Sequence, residues 1–253
     1  MRNPVKAKLK AGQPSIGTWM TIGHPDVAEF LATLGFDWFV FDMEHSPLSF
    51  ETVQVLMQAS SFSKTVPMVR VAWNDMVLIK RALDIGAYGL VIPWVNTRED
   101  AKNAVRYSRY PPRGIRGCGP RRAAVRDPEY FETVEDELLL VVQIETEEAL
   151  KNIDDILTVE GIDACYIGPN DLSMNLGVFR QWDHPKFKNA LEIVLDACKR
   201  YGVIPGMHCS PENINQALEM GFRFCAIGSD YRFLLRGASE AIKSVKGWTP
   251  GQL

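Results

Sequence analysis

Residues 39–50 read FVFDMEHSPLSF, an apolar run that ends in Asp42, Glu44 and His45. A short apolar run of this kind is typical of a β-strand that is buried on both faces in a parallel sheet. Ionisable side chains are costly to bury in such a place. Two interpretations are open: a loop that begins early, or a strand whose end points into an active site.

The same pattern recurs along the whole chain. Amphipathic, helix-like stretches follow the apolar runs, and several of them open on Ser, Thr, Asn or Asp and close on Gly, as capped helices do. The eight runs span residues 15–20, 38–43, 66–71, 89–95, 138–145, 164–169, 203–209 and 222–228. Alternating strands and helices predict an α/β fold, a single-domain (β/α)8 TIM barrel over residues 1–253, with an open doubly wound sheet as the alternative.

The composition describes an ordinary globular surface. The 253 residues are 46% hydrophobic and 23% charged, with a formal net charge of −3. Neither nucleic acid nor a membrane is therefore an expected partner, and small molecules are the expected substrates. The N-terminus lacks the apolar stretch of a secretory signal, and no apolar segment reaches the roughly 18 residues of a membrane span. Five cysteines without CxxC spacing predict no disulfide framework and no zinc site, which favours a cytoplasmic location.

One segment interrupts the alternation. Residues 110–137 form a long connection, rich in Gly, Pro and Arg, between the fourth helix and the fifth strand. Connections of this length are usually functional, oligomeric or mobile. Its arginines could bind a carboxylated substrate, or they could form salt bridges with the acids from Asp127 onward or with a neighbouring subunit. They are Arg113, Arg116, Arg121, Arg122 and Arg126.

In a TIM barrel the catalytic groups come from the carboxyl ends of the strands. In this chain those ends are strongly polar, which a purely structural barrel does not need. In chain order they are Trp19; Asp42, Glu44 and His45; Arg70; Pro93; Gln143 and Glu145; Asn170 and Asp171; His208; and Ser229 and Asp230. The segment at 39–50 is therefore interpreted as a strand that ends in an active site.

Glu145 and Asp171 are a candidate metal pair. They follow the adjacent fifth and sixth strands, so their carboxylates can converge. Two carboxylates without cysteine or paired histidines suit a hard divalent ion such as Mg²⁺ or Mn²⁺, which keeps open positions for water or a chelating substrate. The alternative is that each acid begins a helix as a cap.

Arg70 and His45 are the candidates for handling charge and protons. Arg70 carries a permanent charge and a planar donor fork that suits a keto or enolate oxygen, and it could also pair with Asp42 or Glu44. His45 follows two acids, and a carboxylate beside it would set its tautomer and raise its basicity. Asp84, in the third helix, is another possible carboxylate partner or a helix-surface acid.

Several common chemistries lack their motifs. Schiff-base aldolases need a strand lysine, and none of the eight runs contains one, so carbanion chemistry here would rely on a metal. The chain has no GxGxxG after the first strand, no GxxxxGK[ST] and no GxSxG, so no nucleotide cofactor and no serine hydrolase is expected. His208, at the end of the seventh strand, is a candidate for lining the pocket.

Five motifs together resemble a known family. They are FDWFVFDMEHSP (36–47), VPMVRVAWND (66–75), YPPRGIRG (110–117), VVQIET (141–146) and IGPNDLS (167–173). In this order and spacing they resemble the HpcH/HpaI family of class II pyruvate aldolases, which act on 4-hydroxy-2-oxo diacids and 2-keto-3-deoxy sugar acids. The resemblance extends from about Ser15 to the end of the eighth strand.

The resemblance implies a fold, a metal and an assembly. Family members are TIM barrels, commonly homohexamers built as trimers of dimers, that exchange a C-terminal helix between subunits. They bind a divalent ion (Mg²⁺, Mn²⁺ or Co²⁺) through acids that match Glu145 and Asp171, and pyruvate chelates that ion. The candidate substrate contacts are Trp19, Arg70, Gln143, Gly168, Pro169, Asn170, Asp171 and His208.

The resemblance also implies a reaction. It is the reversible cleavage of a 4-hydroxy-2-oxo acid to pyruvate, or hydroxypyruvate, and an aldehyde. In that reaction Arg70 steadies the enolate oxygen, and His45 moves protons with carboxylates that match Asp42 and Asp84. The chain departs from the family pattern at Asn170, at CGPRRA (118–123) and at GMHC (206–209), which leaves the aldehyde open.

Two further functions stay open. One is a related lyase or synthase that decarboxylates oxaloacetate or condenses it in a citrate-type reaction. The other is a non-catalytic pyruvate-binding barrel, against which Arg70 and His45 argue, because binding alone needs no proton shuttle.

Overall fold

The computed structural model describes residues 2–246. Met1 and residues 247–253, which belong to the predicted domain, lie outside this range. Eight strands form a closed, all-parallel barrel in sequence order, so the predicted (β/α)8 TIM barrel is confirmed and the open sheet is excluded. The strands are β1 (Ser15–Met20), β2 (Trp38–Asp42), β3 (Val66–Arg70), β4 (Gly89–Ile92), β5 (Leu139–Gln143), β6 (Ala164–Ile167), β7 (Ile204–Cys209) and β8 (Phe224–Ser229).

Helices surround the barrel and connect its strands. They are α1 (Pro4–Lys10), α2 (Pro25–Ala32), α3 (Phe50–Ala59), α4 (Met76–Asp84), α5 (Arg98–Ser108), α6 (Arg121–Arg126), α7 (Tyr130–Glu137), α8 (Glu147–Lys151), α9 (Ile153–Leu157), α10 (Pro169–Asn175), α11 (Pro185–Tyr201), α12 (Ile214–Met220) and α13 (Asp230–Lys243). None of the helices within the described range is long and apolar enough to cross a membrane.

Capping side chains explain where several helices begin. Ser49 accepts from the Thr52 N–H at the start of α3, and Asp75 accepts from two N–H groups at the start of α4. Thr97 and Asp100 form a reciprocal capping box at the start of α5. These bonds satisfy N–H groups that have no partner inside a helix, so the polar residues before the apolar stretches set the register of each unit.

Large aromatic residues fill the interior of the barrel. Trp38 of β2 and Phe224 of β8 stack with ring centroids 4.3 Å apart. The Trp38 ring also lies over Gly17 of β1, where a Cβ atom would come within 2.0 Å of it. Any side chain at Gly17 would therefore collide with the largest core residue, so the glycine is needed for this packing.

The amino-terminal end of the barrel is closed by α1, which the sequence pattern did not predict. Asn3 caps this helix and donates from Nδ2 to the carbonyls of Tyr88 and Glu137. Lys6 is buried and pairs with Asp163 at 2.8 Å. The helix is only seven residues long, and its amphipathic pattern is too short to stand out in the sequence.

The long connection at 110–137 contains two helices, α6 and α7, that were not predicted. Neither has a side-chain cap bond, and both are short, so neither leaves the usual signals in the sequence. Arg113 pairs with Asp136 at 3.2 Å, which confirms the salt-bridge interpretation for this arginine. Arg116 is buried and pairs with Asp84.

Candidate active site

Asp42 and Arg70 form the base of the candidate site. They are paired in register at the carboxyl ends of β2 and β3. Arg70 donates from Nε to Asp42 Oδ1 at 2.9 Å and from Nη2 to Oδ2 at 2.7 Å, a bidentate ion pair. Burial opposes the charged form of Asp42, but the hydrogen bonds and charge of Arg70 outweigh it and lower the Asp42 pKa. Arg70 is thereby held rigidly at the mouth of the barrel.

Glu44 lies on the other side of the same guanidinium. Its Oε2 is 3.1 Å from Arg70 Nη1, which confirms the hypothesis that Glu44 helps to hold Arg70. Burial raises the Glu44 pKa to about 7, and the charges of Asp42 and Asp171 act in the same direction against that of Arg70. The carboxylates at this end of the barrel therefore repel one another.

The structure places His45 differently from the expectation. Its side chain is 62% exposed, and its Nε2 lies 3.8 Å from Glu44 Oε1. Asp42 reaches only the His45 peptide N–H, at 3.3 Å, because both of its oxygens are bonded to Arg70. The carboxylate beside the imidazole is thus Glu44 and not Asp42.

Trp19 and His208 line the mouth of the barrel near Arg70. The Arg70 guanidinium carbon lies 4.4 Å from the centre of the Trp19 ring, a cation–π contact, and Trp19 Nε1 donates to the Tyr166 hydroxyl. The His208 ring lies 6.1 Å from the Trp19 ring. Burial, together with the positive charges of Arg232 and Arg70, lowers the His208 pKa to about 4. His208 is therefore neutral at physiological pH.

Glu145 and Asp171 converge at Gly168. A Cβ atom at Gly168 would lie 3.1 Å from Glu145 Oε2 and 3.5 Å from Asp171 Oδ2, so the absent side chain leaves room where the two carboxylates meet. Gln143 donates from Nε2 to Glu145 Oε2 at 2.7 Å, and its Oε1 accepts from Arg70 at 3.4 Å. Gln143 therefore links the arginine to the carboxylate pair.

A residue that the sequence did not single out orients Glu145. The Trp94 N–H donates to Glu145 Oε1 at 2.9 Å, and Trp94 has a φ of 54°, which is uncommon for a bulky residue. The bond comes from the main chain, so the sequence carries no signal for it. Glu145 does not cap α8, because Thr146 is that cap, and the capping alternative is excluded for Glu145.

The electrostatics of the carboxylate pair fit a cation. Glu145 is 3% exposed. Burial raises its pKa to about 7 against the Trp94 hydrogen bond, and the charges of Glu44 and Asp171 raise it further. Within residues 2–246 no group of three or more His, Cys, Asp or Glu is arranged to hold a metal. An ion at this pair would therefore take its other ligands from water or a chelating substrate.

Asp84 does not lie at this site in the single chain. Asp84 is the last residue of α4, which runs back from the carboxyl end of β3 to the amino-terminal end of the barrel. There Asp84 accepts from Arg116 at 2.8 Å. Within one chain the expected partnership of Asp84 with His45 is therefore replaced by an ion pair at the opposite end.

A cavity of about 640 Å³ also lies at the amino-terminal end. Its lining includes Asp37, Pro67 and Gly86, which precede or begin β2, β3 and β4. Catalytic groups of barrels lie at the other end, where the polar strand ends of this chain meet. We therefore assign the site by its chemistry and not by the volume of this cavity.

Comparison with known proteins identifies the family of this chain. The family model described as HpcH/HpaI aldolase/citrate lyase matches residues 15–236. The chain belongs to this family. It is 42% identical over 247 residues to a 4-hydroxy-2-oxo-heptane-1,7-dioate aldolase of Escherichia coli, which covers 96% of this chain and 94% of that protein. The family resemblance predicted from the five motifs is confirmed.

Solved structures with this fold come from proteins of more than one name. A family protein from Burkholderia cenocepacia J2315 superposes with a TM-score of 0.92 at 33% identity, covering 97% of this chain and 100% of that one. The citrate synthase SbnG superposes with a TM-score of 0.85 at 28% identity, covering 94% of this chain and 96% of that one. The HpcH/HpaI scaffold is thus shared by proteins named for two different carbon–carbon bond reactions.

Proposed function

We propose that this HpcH/HpaI family member is a metal-dependent aldolase that cleaves a 4-hydroxy-2-oxo acid reversibly to pyruvate, or hydroxypyruvate, and an aldehyde. The observation that carries the proposal is the convergence of Glu145 and Asp171 at Gly168, linked to Arg70 through Gln143. The name of the Escherichia coli relative, a 4-hydroxy-2-oxo-heptane-1,7-dioate aldolase, supports the same substrate class.

Glu145 and Asp171 would hold the divalent ion, Mg²⁺, Mn²⁺ or Co²⁺. When bound, such an ion acts as a Lewis acid toward the keto oxygen of a 2-oxo acid. Gly168 leaves space above the pair, and the peptide N–H groups of Asn170 and Asp171, in the first turn of α10, are available to the substrate carboxylate. Pro169 begins that turn and fixes its backbone.

Arg70 supplies the fixed positive charge for the reaction. In cleavage a base removes the proton of the C4 hydroxyl, and the electrons of the C3–C4 bond move into a C2–C3 double bond. The aldehyde leaves, and negative charge develops on the C2 oxygen. A guanidinium held in advance by Asp42 and Glu44 stabilises that charge without having to move.

His45 is the proposed proton carrier. Its imidazole is exposed at the mouth of the barrel, where it reaches the substrate hydroxyl directly or through water, with Glu44 beside it. Protonation of C3 then releases pyruvate, so one proton leaves the hydroxyl and one is added to carbon. Trp19 and His208 close the side of the mouth near Arg70 and are the proposed contacts for the rest of the substrate.

The experiment is a cleavage assay with 4-hydroxy-2-oxoheptanedioate. Pyruvate formation, coupled to lactate dehydrogenase, is measured after treatment with chelator and again after Mg²⁺, Mn²⁺ or Co²⁺ is added back. We expect the chelator to abolish pyruvate formation and a divalent ion to restore it. A second panel tests aldehydes with pyruvate and with hydroxypyruvate; if no aldehyde gives metal-dependent product, the proposal fails.

A citrate-type reaction is the second candidate, because the SbnG structure has this fold and is named a citrate synthase. An arm of the same assay supplies oxaloacetate with and without a second acceptor. Consumption of oxaloacetate, with 4-hydroxy-2-oxo acids left intact, would favour this candidate over the aldolase.

We also propose that the enzyme is a cytoplasmic homo-oligomer, a hexamer built as a trimer of dimers. The C-terminal helix α13 supports exchange between subunits, because Leu234 and Leu235 are 65% and 63% exposed in the single chain. Assembly is also the way in which Asp84 of one subunit could approach His45 of another. Light scattering after size-exclusion chromatography measures the mass and tests the hexamer.

A further inference from the structure

Two residues other than glycine have a positive φ in the described range, and each is bonded to a residue of the candidate site: Trp94 to Glu145 and Arg180 to Asn170. They are Trp94, at 54°, and Arg180, at 56°. A side chain makes this backbone conformation unfavourable, and it persists where the surrounding structure holds it in place. Trp94 orients Glu145, which accounts for the first residue. The role proposed for the site gives no account of Arg180.

Three hydrogen bonds hold Arg180 against the first turn of α10. Its N–H donates to Ser173 Oγ at 3.2 Å, and Ser173 Oγ donates to the Asn170 carbonyl at 3.0 Å. Its Nε donates to Asn170 Oδ1 at 3.2 Å. The guanidinium carbon also lies 4.9 Å from the centre of the Phe179 ring. The cation is therefore fixed next to Asn170, one residue before Asp171.

The remaining donors of Arg180 are not used by protein carboxylates. Among residues 2–246, no Asp or Glu oxygen lies within 4.0 Å of its guanidinium nitrogens. The side chain is exposed, so its two terminal NH₂ groups are free to bind a ligand. Planar, paired donors of this kind match a carboxylate or a phosphate.

The negative charge of the site indicates what the Arg180 guanidinium could bind. Asp42, Glu44, Glu145 and Asp171 lie at the mouth, and Arg70 is already bonded to the first two. An aldehyde that carries a negative group would be repelled by this set of carboxylates. Beyond Arg70 and Arg232, whose charges act on His208, a further fixed cation at the rim would offset that repulsion for an acceptor that enters past Asn170.

We propose that Arg180 selects acceptor aldehydes that carry an anionic group, a carboxylate or a phosphate, at the end away from the reacting carbonyl. This inference rests on the proposed aldolase function, and it names the residue that sets acceptor specificity. Asn170 acts with it as a positioning residue, because its amide oxygen holds the guanidinium in place.

The test compares matched pairs of acceptors in the aldol direction with pyruvate and Mg²⁺. The pairs are 4-oxobutanoate against its methyl ester, and glyceraldehyde 3-phosphate against glyceraldehyde. Arg180→Gly removes the cation and suits the positive φ, so the backbone is kept. We expect the anionic-to-neutral ratio of kcat/KM to fall about tenfold in Arg180→Gly for at least one pair.

The control variant is Arg200→Gln, which removes the same charge from the outside of the barrel, where Arg200 pairs with Asp154. We expect it to leave both ratios unchanged. A fall in the carboxylate pair alone assigns a carboxylate, and a fall in the phosphate pair alone assigns a phosphate. Ratios that survive in Arg180→Gly within twofold of those in Arg200→Gln would overturn the proposal.

A binding measurement gives a readout without turnover. Calorimetry compares 2-oxoheptanedioate with 2-oxoheptanoate, which lack the 4-hydroxyl and cannot be cleaved. Arg180→Gly should weaken binding of the diacid about tenfold relative to the monoacid, and equal effects on both would count against Arg180. If the wild-type enzyme forms no product from any acceptor, the aldolase function itself fails; if it forms product and the ratios survive, only the role of Arg180 fails.

Discussion

At the amino-terminal end of the barrel, two buried cations each meet one carboxylate: Lys6 pairs with Asp163 and Arg116 with Asp84, both at 2.8 Å. At the carboxyl-terminal end, four carboxylates cluster around Arg70, and their mutual repulsion adds to the effect of burial. Within residues 2–246, the two residues that have a side chain and a positive φ bond to Glu145 and to Asn170 at this same end. The first end holds these two cations in ion pairs, and the second crowds several carboxylates around one guanidinium.

The two ends of the barrel therefore differ in role: ion pairs at the amino-terminal end stabilise the fold, and the carboxylates at the carboxyl-terminal end are arranged to bind a ligand. Removing one partner of a buried ion pair is strongly destabilising, because the remaining buried charge is left uncompensated. A cluster of like charges is unfavourable until a cation binds, so it is retained where binding is needed. We therefore expect substitutions at the amino-terminal end to change stability and substitutions at the carboxyl-terminal end to change activity.

The largest expected effect is at Glu145. Glu145→Gln keeps the size of the side chain and removes the negative charge, so kcat/KM for 4-hydroxy-2-oxoheptanedioate should fall by about a thousandfold or more. Metal affinity, measured by calorimetry, should fall with it. The control is Glu147→Gln on the exposed start of α8, which should retain activity. Full activity of Glu145→Gln would contradict the proposed role of Glu145 as a metal ligand.

Arg70→Lys should have the next largest effect. A lysine keeps the charge but cannot make the bidentate contact with Asp42, so the charge is no longer fixed in position. We expect kcat to fall about a hundredfold, as it does when a donor to a developing oxyanion is lost. Arg81→Lys, in which the native arginine packs on the Phe50 ring at 4.2 Å, is the control and should leave kcat unchanged.

Lys6→Ala tests the contribution of the amino-terminal end of the barrel to stability. It leaves Asp163 and the Leu138 carbonyl without their partner, so the free energy of unfolding should fall by about 3 kcal/mol. Lys8→Ala breaks a more exposed pair with Asp37 and should cost less than about 1 kcal/mol. Denaturant titration measures both, and kcat at a permissive temperature should not change. Loss of activity without loss of stability would contradict the division between the two ends.

His208, at the carboxyl-terminal end of the barrel, makes the free energy of unfolding depend on pH. Its pKa is lowered to about 4 in the folded chain, so the unfolded chain binds the proton first as pH falls. The stabilisation is present above the ordinary pKa of about 6.5 and is lost as pH falls from there toward 4. Between pH 7.5 and 5 this amounts to roughly 2 kcal/mol. His208→Gln should remove this part of the acid sensitivity in denaturation curves, and an unchanged curve would count against it.

The smallest expected effect is on the free energy of unfolding, which glycine should raise at Arg180 and lower at Arg200. Arg180→Gly relieves an unfavourable φ and should raise the free energy of unfolding by about 1 kcal/mol. Arg200→Gly places glycine inside the helix α11 and should lower it by about 1 kcal/mol. Thermal denaturation of the two variants decides this, and a loss of stability in both would show that Arg180 is not strained.

The barrel and the strand ends that build the site could be predicted from the order of residues alone. Alternating apolar runs and capped helices leave few folds open, because a strand that is apolar on both faces must be covered on both faces. The carboxyl ends of parallel strands meet at one end of a barrel, so Asp42, Arg70, Glu145 and Asp171 could be grouped before any distance was known. The short, uncapped helices α6 and α7 were missed, because they leave no periodic signal.

The contacts between these groups could not be predicted and became known from the folded chain. In the folded chain Asp42 pairs with Arg70, and Glu44 lies beside His45. Asp84 lies at the opposite end of the barrel, where it pairs with Arg116. The structure also revealed the Trp94 N–H on Glu145 and the fixed cation of Arg180. Ion pairs and hydrogen bonds depend on a few ångströms and on burial, and residues distant in sequence acquire both only when the barrel closes.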